Sequence, residues 1–167
     1  MLSTRIYLTG FMGGGNTTIG EKLAEKLNLP VLDTDQEIIK KRNMSIKEIF
    51  EKYGETFFRQ SETEILKELP TKDVIITTGG GIVITAENRN WMKTQGTVVL
   101  LHADLNIIYE RVHYDTNRPL ASKKTKEELI ELYQSRVTFY KDCSLEVDTS
   151  NKKIDEIVDE IISRLKD

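Results

Sequence analysis

The chain has 167 residues, of which 38% are apolar and 31% charged, with a formal net charge of -3. That length holds one domain with a substantial core and is short for two, and the mild acidity excludes any global attraction to nucleic acid or anionic membrane. The single cysteine, Cys143, excludes an internal disulfide, and no leader or long apolar run is visible, so a monomeric cytoplasmic protein is expected.

In chain order, Ile6–Thr9 reads as a short buried strand, followed by the glycine-bearing run GFMGGGNT over residues 10–17. Ile19, Leu23 and Leu27 then recur at helical spacing. Val31–Asp33 is a second strand, and Ser45-x-x-Glu48 has the form of a capping box opening a helix. Val74–Thr77 is a third strand ending in Gly79-Gly80-Gly81, and Thr97–His102 is a fourth. His113–Lys124 is polar, contains Pro119 and lacks periodicity, which predicts a loop. Thr125-x-x-Glu128 is a second capping box, and Leu145–Val147 is a fifth strand. Ile154, Ile157, Val158, Ile161, Ile162 and Leu165 share one helix face. Strands alternating with helices predict an α/β fold with a parallel sheet covered on both faces. The whole chain, 1–167, is expected to form one domain.

The run from Gly10 to Thr17 has the strand–loop–helix context of the phosphate-binding motif G-x-x-x-x-G-K-[ST]. Gly13, Gly14 and Gly15 let backbone N–H groups turn toward phosphate oxygens, and the helix N-terminus at Thr17 and Thr18 adds partial positive charge. The Thr17 hydroxyl is a candidate Mg²⁺ ligand. Asn16 stands where the motif has lysine, so nucleotide binding is expected to suffer less than phosphoryl transfer.

Asp33 and Asp35 are expected at the carboxyl end of the second strand, two residues apart and on one face. Such a pair can divide labour between metal-bound water and a base for an attacking hydroxyl. The glycine triplet predicts a close approach of backbone to a small substrate or a phosphate. Arg59, Arg118 and Arg136 carry guanidinium groups suited to carboxylate or phosphate.

Taken jointly, these segments resemble the shikimate kinase family of P-loop kinases nearly end to end. The segments are GFMGGGNTTIG, LDTDQEI, GETFFRQSE, TTGGGIV, NRPLA and VDTSNKKIDEIVDEI. The resemblance implies a three-layer α/β/α P-loop kinase fold around a five-stranded parallel sheet. It also implies a substrate-binding segment over 33–61 and a lid over 113–124. The implied reaction moves the γ-phosphoryl group of ATP to the 3-hydroxyl of shikimate. Asp35 is then the base, Asp33 and Thr17 serve Mg²⁺, and Arg59 and Arg136 with Gly80 and Gly81 hold shikimate. Arg118 would close with the lid onto phosphates, and Arg111 would flank the adenine opposite the loop around Thr149. Asn16, Ile154 and Ala121 depart from the family pattern, and only Asn16 touches the chemistry. Lys123 or Lys124 is a candidate replacement for the missing charge. The alternatives are a silent nucleotide- and shikimate-binding paralogue, or another small-molecule kinase of the same fold.

Overall fold

The computed structural model describes residues 4–11, 16–70, 72–113 and 125–166. Five strands, β1 (Arg5–Thr9), β2 (Val31–Asp33), β3 (Val74–Thr77), β4 (Thr97–His102) and β5 (Leu145–Asp148), form one parallel sheet in the order β2-β3-β1-β4-β5. The seven described helices are α1 (Asn16–Leu27), α2 (Thr34–Arg42), α3 (Ile46–Glu68), α4 (Ala86–Gln95), α5 (Leu105–His113), α6 (Lys126–Lys141) and α7 (Ile154–Leu165). A 3₁₀ turn at Ile82–Ile84 follows β3.

The strands are apolar on both sides because both sheet faces are covered. On one face Ile6 and Leu8 of β1, with Val99 and Leu101 of β4, pack against Ile19 and Leu23 of α1 and Val158 and Ile161 of α7. On the other, Tyr7, Val98 and Leu100 meet Leu66 of α3, Met92 of α4 and Tyr140 of α6. The two-residue period of the strands thus sorts one sequence into two cores. The helices α2 and α3 add a smaller third cluster of Ile38, Ile49, Phe58 and Ile65. Both capping boxes are present, Ser45 with Glu48 and Thr125 with Glu128.

Two features position the site. The strand order reverses direction beside β1, which opens a crevice at the carboxyl ends of β1 and β3. The helix α3 is bent at Gly54 (φ 85°, ψ 175°), a conformation open to glycine almost alone. The part of α3 after this bend carries Arg59. No helix among the described residues is long and apolar enough to cross a membrane.

Candidate active site

The aspartate pair is arranged differently from the strand-face expectation. β2 stops at Asp33, whose carboxylate caps α2 by accepting from the Gln36 N–H at 3.1 Å. Its other oxygen accepts from Thr77 Oγ1 of β3 at 2.6 Å. Asp35 therefore lies in the first turn of α2, where a two-residue step rotates the side chain to a different direction. The capping propensity of Asp33 ends the strand before the two-residue alternation can continue. This separation gives the carboxylates different surroundings. Asp33 faces a groove of ≈280 Å³ that Thr17 and Thr77 also line, while Asp35 turns to the glycine triplet.

The triplet is the meeting point of the substrate-side residues. A Cβ placed on Gly79 would come within 2.9 Å of Asp35 Oδ1 and 3.1 Å of Oδ2. A Cβ on Gly81 would collide with the Arg59 guanidinium. The sequence predicts close approach here, and in the structure the approaching groups are the Asp35 and Arg59 side chains. Thr34, fully buried, accepts the Gly79 N–H at 3.3 Å. Tyr140 donates its hydroxyl proton to the Gly80 carbonyl.

Arg59 is held from its own helix. Glu62 Oε1 accepts from Nη1 at 2.8 Å, and Glu55 Oε1 lies 3.4 Å from Nε. Glu62 is 0% exposed, and burial raises its carboxyl from the usual range to about 7 against the opposing pull of Arg59. The negative charge of Asp35 raises it further and Arg136 lowers it, so all four groups share one field. Burial likewise drives the Tyr140 phenol up to about 12, with the nearby Arg136 guanidinium opposing. Asp35, Arg59, Arg136, Gly80 and Gly81 thus lie near one another in the structure. Glu62 and Tyr140 were not anticipated. The Arg59-x-x-Glu62 spacing on a helix was the available signal for the first; no local pattern marks the second.

Asn16 takes a structural position at the start of α1. Its Nδ2 donates to Leu8 O at 3.4 Å and Thr78 O at 3.2 Å, which ties the helix to the ends of β1 and β3. Both amide hydrogens are then used by backbone carbonyls. Its Oδ1 is buried with no hydrogen-bond partner among the described residues. Thr18, with Lys153 and Ile154, lines a separate groove of ≈680 Å³ between α1 and α7. Thr149 is buried and donates its hydroxyl to His102 O at 3.1 Å, so its side chain closes the β4–β5 end while the next loop faces outward. Arg111 is exposed on α5. Gly13, Gly14, Gly15, Arg118, Ala121, Lys123 and Lys124 lie outside the described residues.

A phosphate-loop sequence motif after β1, a carboxylate and two arginines around a glycine turn, and a crevice at the carboxyl edge of a parallel sheet define a class. It is a small-molecule kinase whose acceptor carries a hydroxyl and an acidic group. The sequence profile described as Shikimate kinase matches residues 12–166. The shikimate kinase of Bacillus cytotoxicus is 50% identical, covering 96% of this chain and 97% of that protein. Among solved structures, the shikimate kinase of Bacteroides thetaiotaomicron superposes with a TM-score of 0.90 at 30% identity, covering 99% of each chain. The Acinetobacter baumannii shikimate kinase in complex with shikimate also gives 0.90, at 36% identity over 98% of this chain and 93% of that one. The chain belongs to the shikimate kinase family, enzymes that phosphorylate shikimate with ATP as the phosphoryl donor.

Proposed function

We propose that the chain phosphorylates the 3-hydroxyl of shikimate through an intact acceptor site, with turnover limited by Asn16. One observation carries this reading: the Asp35 carboxylate and the Arg59 guanidinium abut the two ends of one glycine triplet. The two Cα steps between those glycines span at most about 7 Å, close to the width of one substituted six-membered ring. An acceptor held there by its carboxylate at Arg59 and Arg136 presents a ring hydroxyl to Asp35. Gly80 and Gly81 add backbone contacts to the same ring.

Asp35 accepts the proton of the 3-hydroxyl as its oxygen forms the new bond to the γ-phosphorus. The bond from that phosphorus to the β–γ bridging oxygen breaks, and ADP leaves with the electron pair. Thr17 and Asp33 line one groove, which fits a divalent cation that arrives with the nucleotide. Among the described residues no cluster of three or more His, Cys, Asp or Glu could hold a metal by itself. Bound Mg²⁺ supplies charge neutralisation along the phosphates. The groove beside Thr18 and Ile154 suits the adenosine end; the roles of Arg111 and Thr149 at the adenine rest on the family resemblance. The family resemblance assigns phosphate contacts to residues 13–15 and Arg118, which lie outside the described residues.

Asn16 lacks the charge of the family's lysine, and its amide is committed to Leu8 and Thr78. The charged side chains Asp33, Asp35, Arg59 and Arg136 are all retained, which favours a slow enzyme over a silent binding protein. The chain acts as a monomer: the well-exposed large apolar side chains among the described residues, Tyr53 and Ile154, sit on separate elements and make no patch. The test is shikimate-dependent ADP release for the chain and for Asp35→Asn, with shikimate binding measured by calorimetry. Loss of turnover with binding retained is expected. Full turnover in Asp35→Asn would remove Asp35 as the base.

A further inference from the structure

The backbone carbonyls of the six consecutive residues from Gly79 to Ile84 all accept a hydrogen bond. Gly79 O accepts from Ile82 N at 3.3 Å and Gly81 O from Ile84 N at 3.1 Å. Gly80 O accepts from the Tyr140 hydroxyl. Ile82 O accepts from Asn88 Nδ2 at 3.0 Å, and Arg89 Nη1 donates to Val83 O at 2.7 Å and Ile84 O at 3.2 Å. Three adjacent glycines have the greatest backbone freedom of any tripeptide, yet this turn is fastened at every carbonyl. Three of the six fastenings come from Asn88 and Arg89, neighbours in the first turns of α4.

Both anchors reach onward to the helices that bear the arginines. Asn88 is 1% exposed, and its Oδ1 accepts from Thr63 Oγ1 at 2.7 Å. Thr63 lies one turn after Arg59 in α3. Its single hydroxyl hydrogen is directed to Asn88 in preference to Arg59 O at 3.3 Å. Arg89 donates from Nε to Asp142 Oδ2 at 3.1 Å, just past the end of α6, and its guanidinium lies over the Phe139 ring at 4.6 Å. Phe139 is three residues after Arg136. Adjacent residues of α4 therefore reference α3 and α6 to the same short turn.

We propose that Asn88 and Arg89 are positioning residues for the substrate carboxylate. They lock the 79–84 turn against α3 and α6, which sets the separation of the Arg59 and Arg136 guanidiniums and of the Gly80 and Gly81 backbone between them. This rests on the reading that those arginines clamp the shikimate carboxylate. Neither Asn88 nor Arg89 touches substrate. Their effect is on acceptor affinity, and the nucleotide side across the sheet edge is outside their reach.

Calorimetric titration of the full chain with shikimate, and separately with MgADP, tests this. Thr63→Val replaces the hydroxyl by a methyl group of the same shape and leaves Asn88 Oδ1 without its donor; Thr63→Ser keeps the donor. Thr63→Val should weaken shikimate binding about three- to tenfold, with Thr63→Ser within about twofold of the parent. Arg89→Lys keeps the charge but not the planar group that bonds Asp142 from Nε and both carbonyls from Nη1, and should weaken shikimate by a similar factor. MgADP affinity should be unchanged in all three. Arg59→Ala in the same titration reports on the underlying reading. Lost shikimate affinity in Arg59→Ala with none lost in Thr63→Val and Arg89→Lys overturns the positioning role. Unchanged affinity in Arg59→Ala overturns the clamp itself. A parallel loss of shikimate and MgADP affinity in Thr63→Val and Arg89→Lys marks general loosening and also overturns the proposal.

Discussion

Replacing Asn16 by lysine separates catalysis from folding within a single side chain. On the folding side, lysine gives up the two amide contacts to Leu8 O and Thr78 O, which are long at 3.4 and 3.2 Å. Each is worth at most about 1 kcal/mol net. The same change removes a buried oxygen without a partner among the described residues, whose desolvation costs about 1–3 kcal/mol. The two effects oppose each other and differ by at most about 3 kcal/mol, so Asn16→Lys should shift Tm by no more than about 12 °C in a chain of this length. On the catalytic side, one positioned charge restored to a phosphoryl transition state is worth about 10²–10³ in rate, roughly 3–4 kcal/mol. Coupled ADP-release assays at saturating MgATP and shikimate should show kcat rising by that factor, while MgADP affinity tightens by less than about tenfold. Equal kcat for both proteins would refute the reasoning. So would a gain in MgADP affinity as large as any gain in rate, because uniform binding does not raise kcat.

Burial lifts the Glu62 carboxyl from 4.5 to about 7, so the folded state holds a proton that the unfolded chain releases. The stability tied to that proton is complete below about 4.5 and is lost as pH rises through about 7. Thermal melts of Glu62→Gln should therefore gain on the parent across this interval, and parallel curves would show that Glu62 is not the titrating group. Gly81→Ala sets a methyl group into the Arg59 guanidinium and should raise the KM for shikimate. Gly79→Ala presses instead on Asp35 and should lower kcat by about 10², the scale of a 1 Å misplacement of a reacting group. If steady-state kinetics show both variants changing the same parameter, the division between base and clamp is wrong. Gly54→Ala meets no neighbour within 4 Å, so its cost is backbone strain alone. Urea denaturation should show a loss of about 1–3 kcal/mol, and an unchanged midpoint would mean that the bend relaxes.

The sequence by itself determined the elements and most of the chemistry. Five strands, two capping boxes and the phosphate-type loop follow from signals confined to a few neighbouring residues, where propensity and hydrogen bonding act locally. Asp35, Arg59 and Arg136 were legible as types suited to a hydroxyl and a carboxylate, and the family resemblance assigned their roles. Tertiary structure decided how those residues are held. Tyr140 and Gly80 are 60 positions apart, Thr63 and Asn88 are 25, and Asn16 and Thr78 are 62. Contacts across such intervals depend on which strands lie side by side, and no local pattern encodes them. The buried environment that makes Glu62 an atypical carboxylate also exists only once α3 is packed. The glycine triplet shows the division most directly. The sequence required a close approach there; only the folded chain decided that the approaching groups are Asp35 and Arg59, on either side of one immobilised turn.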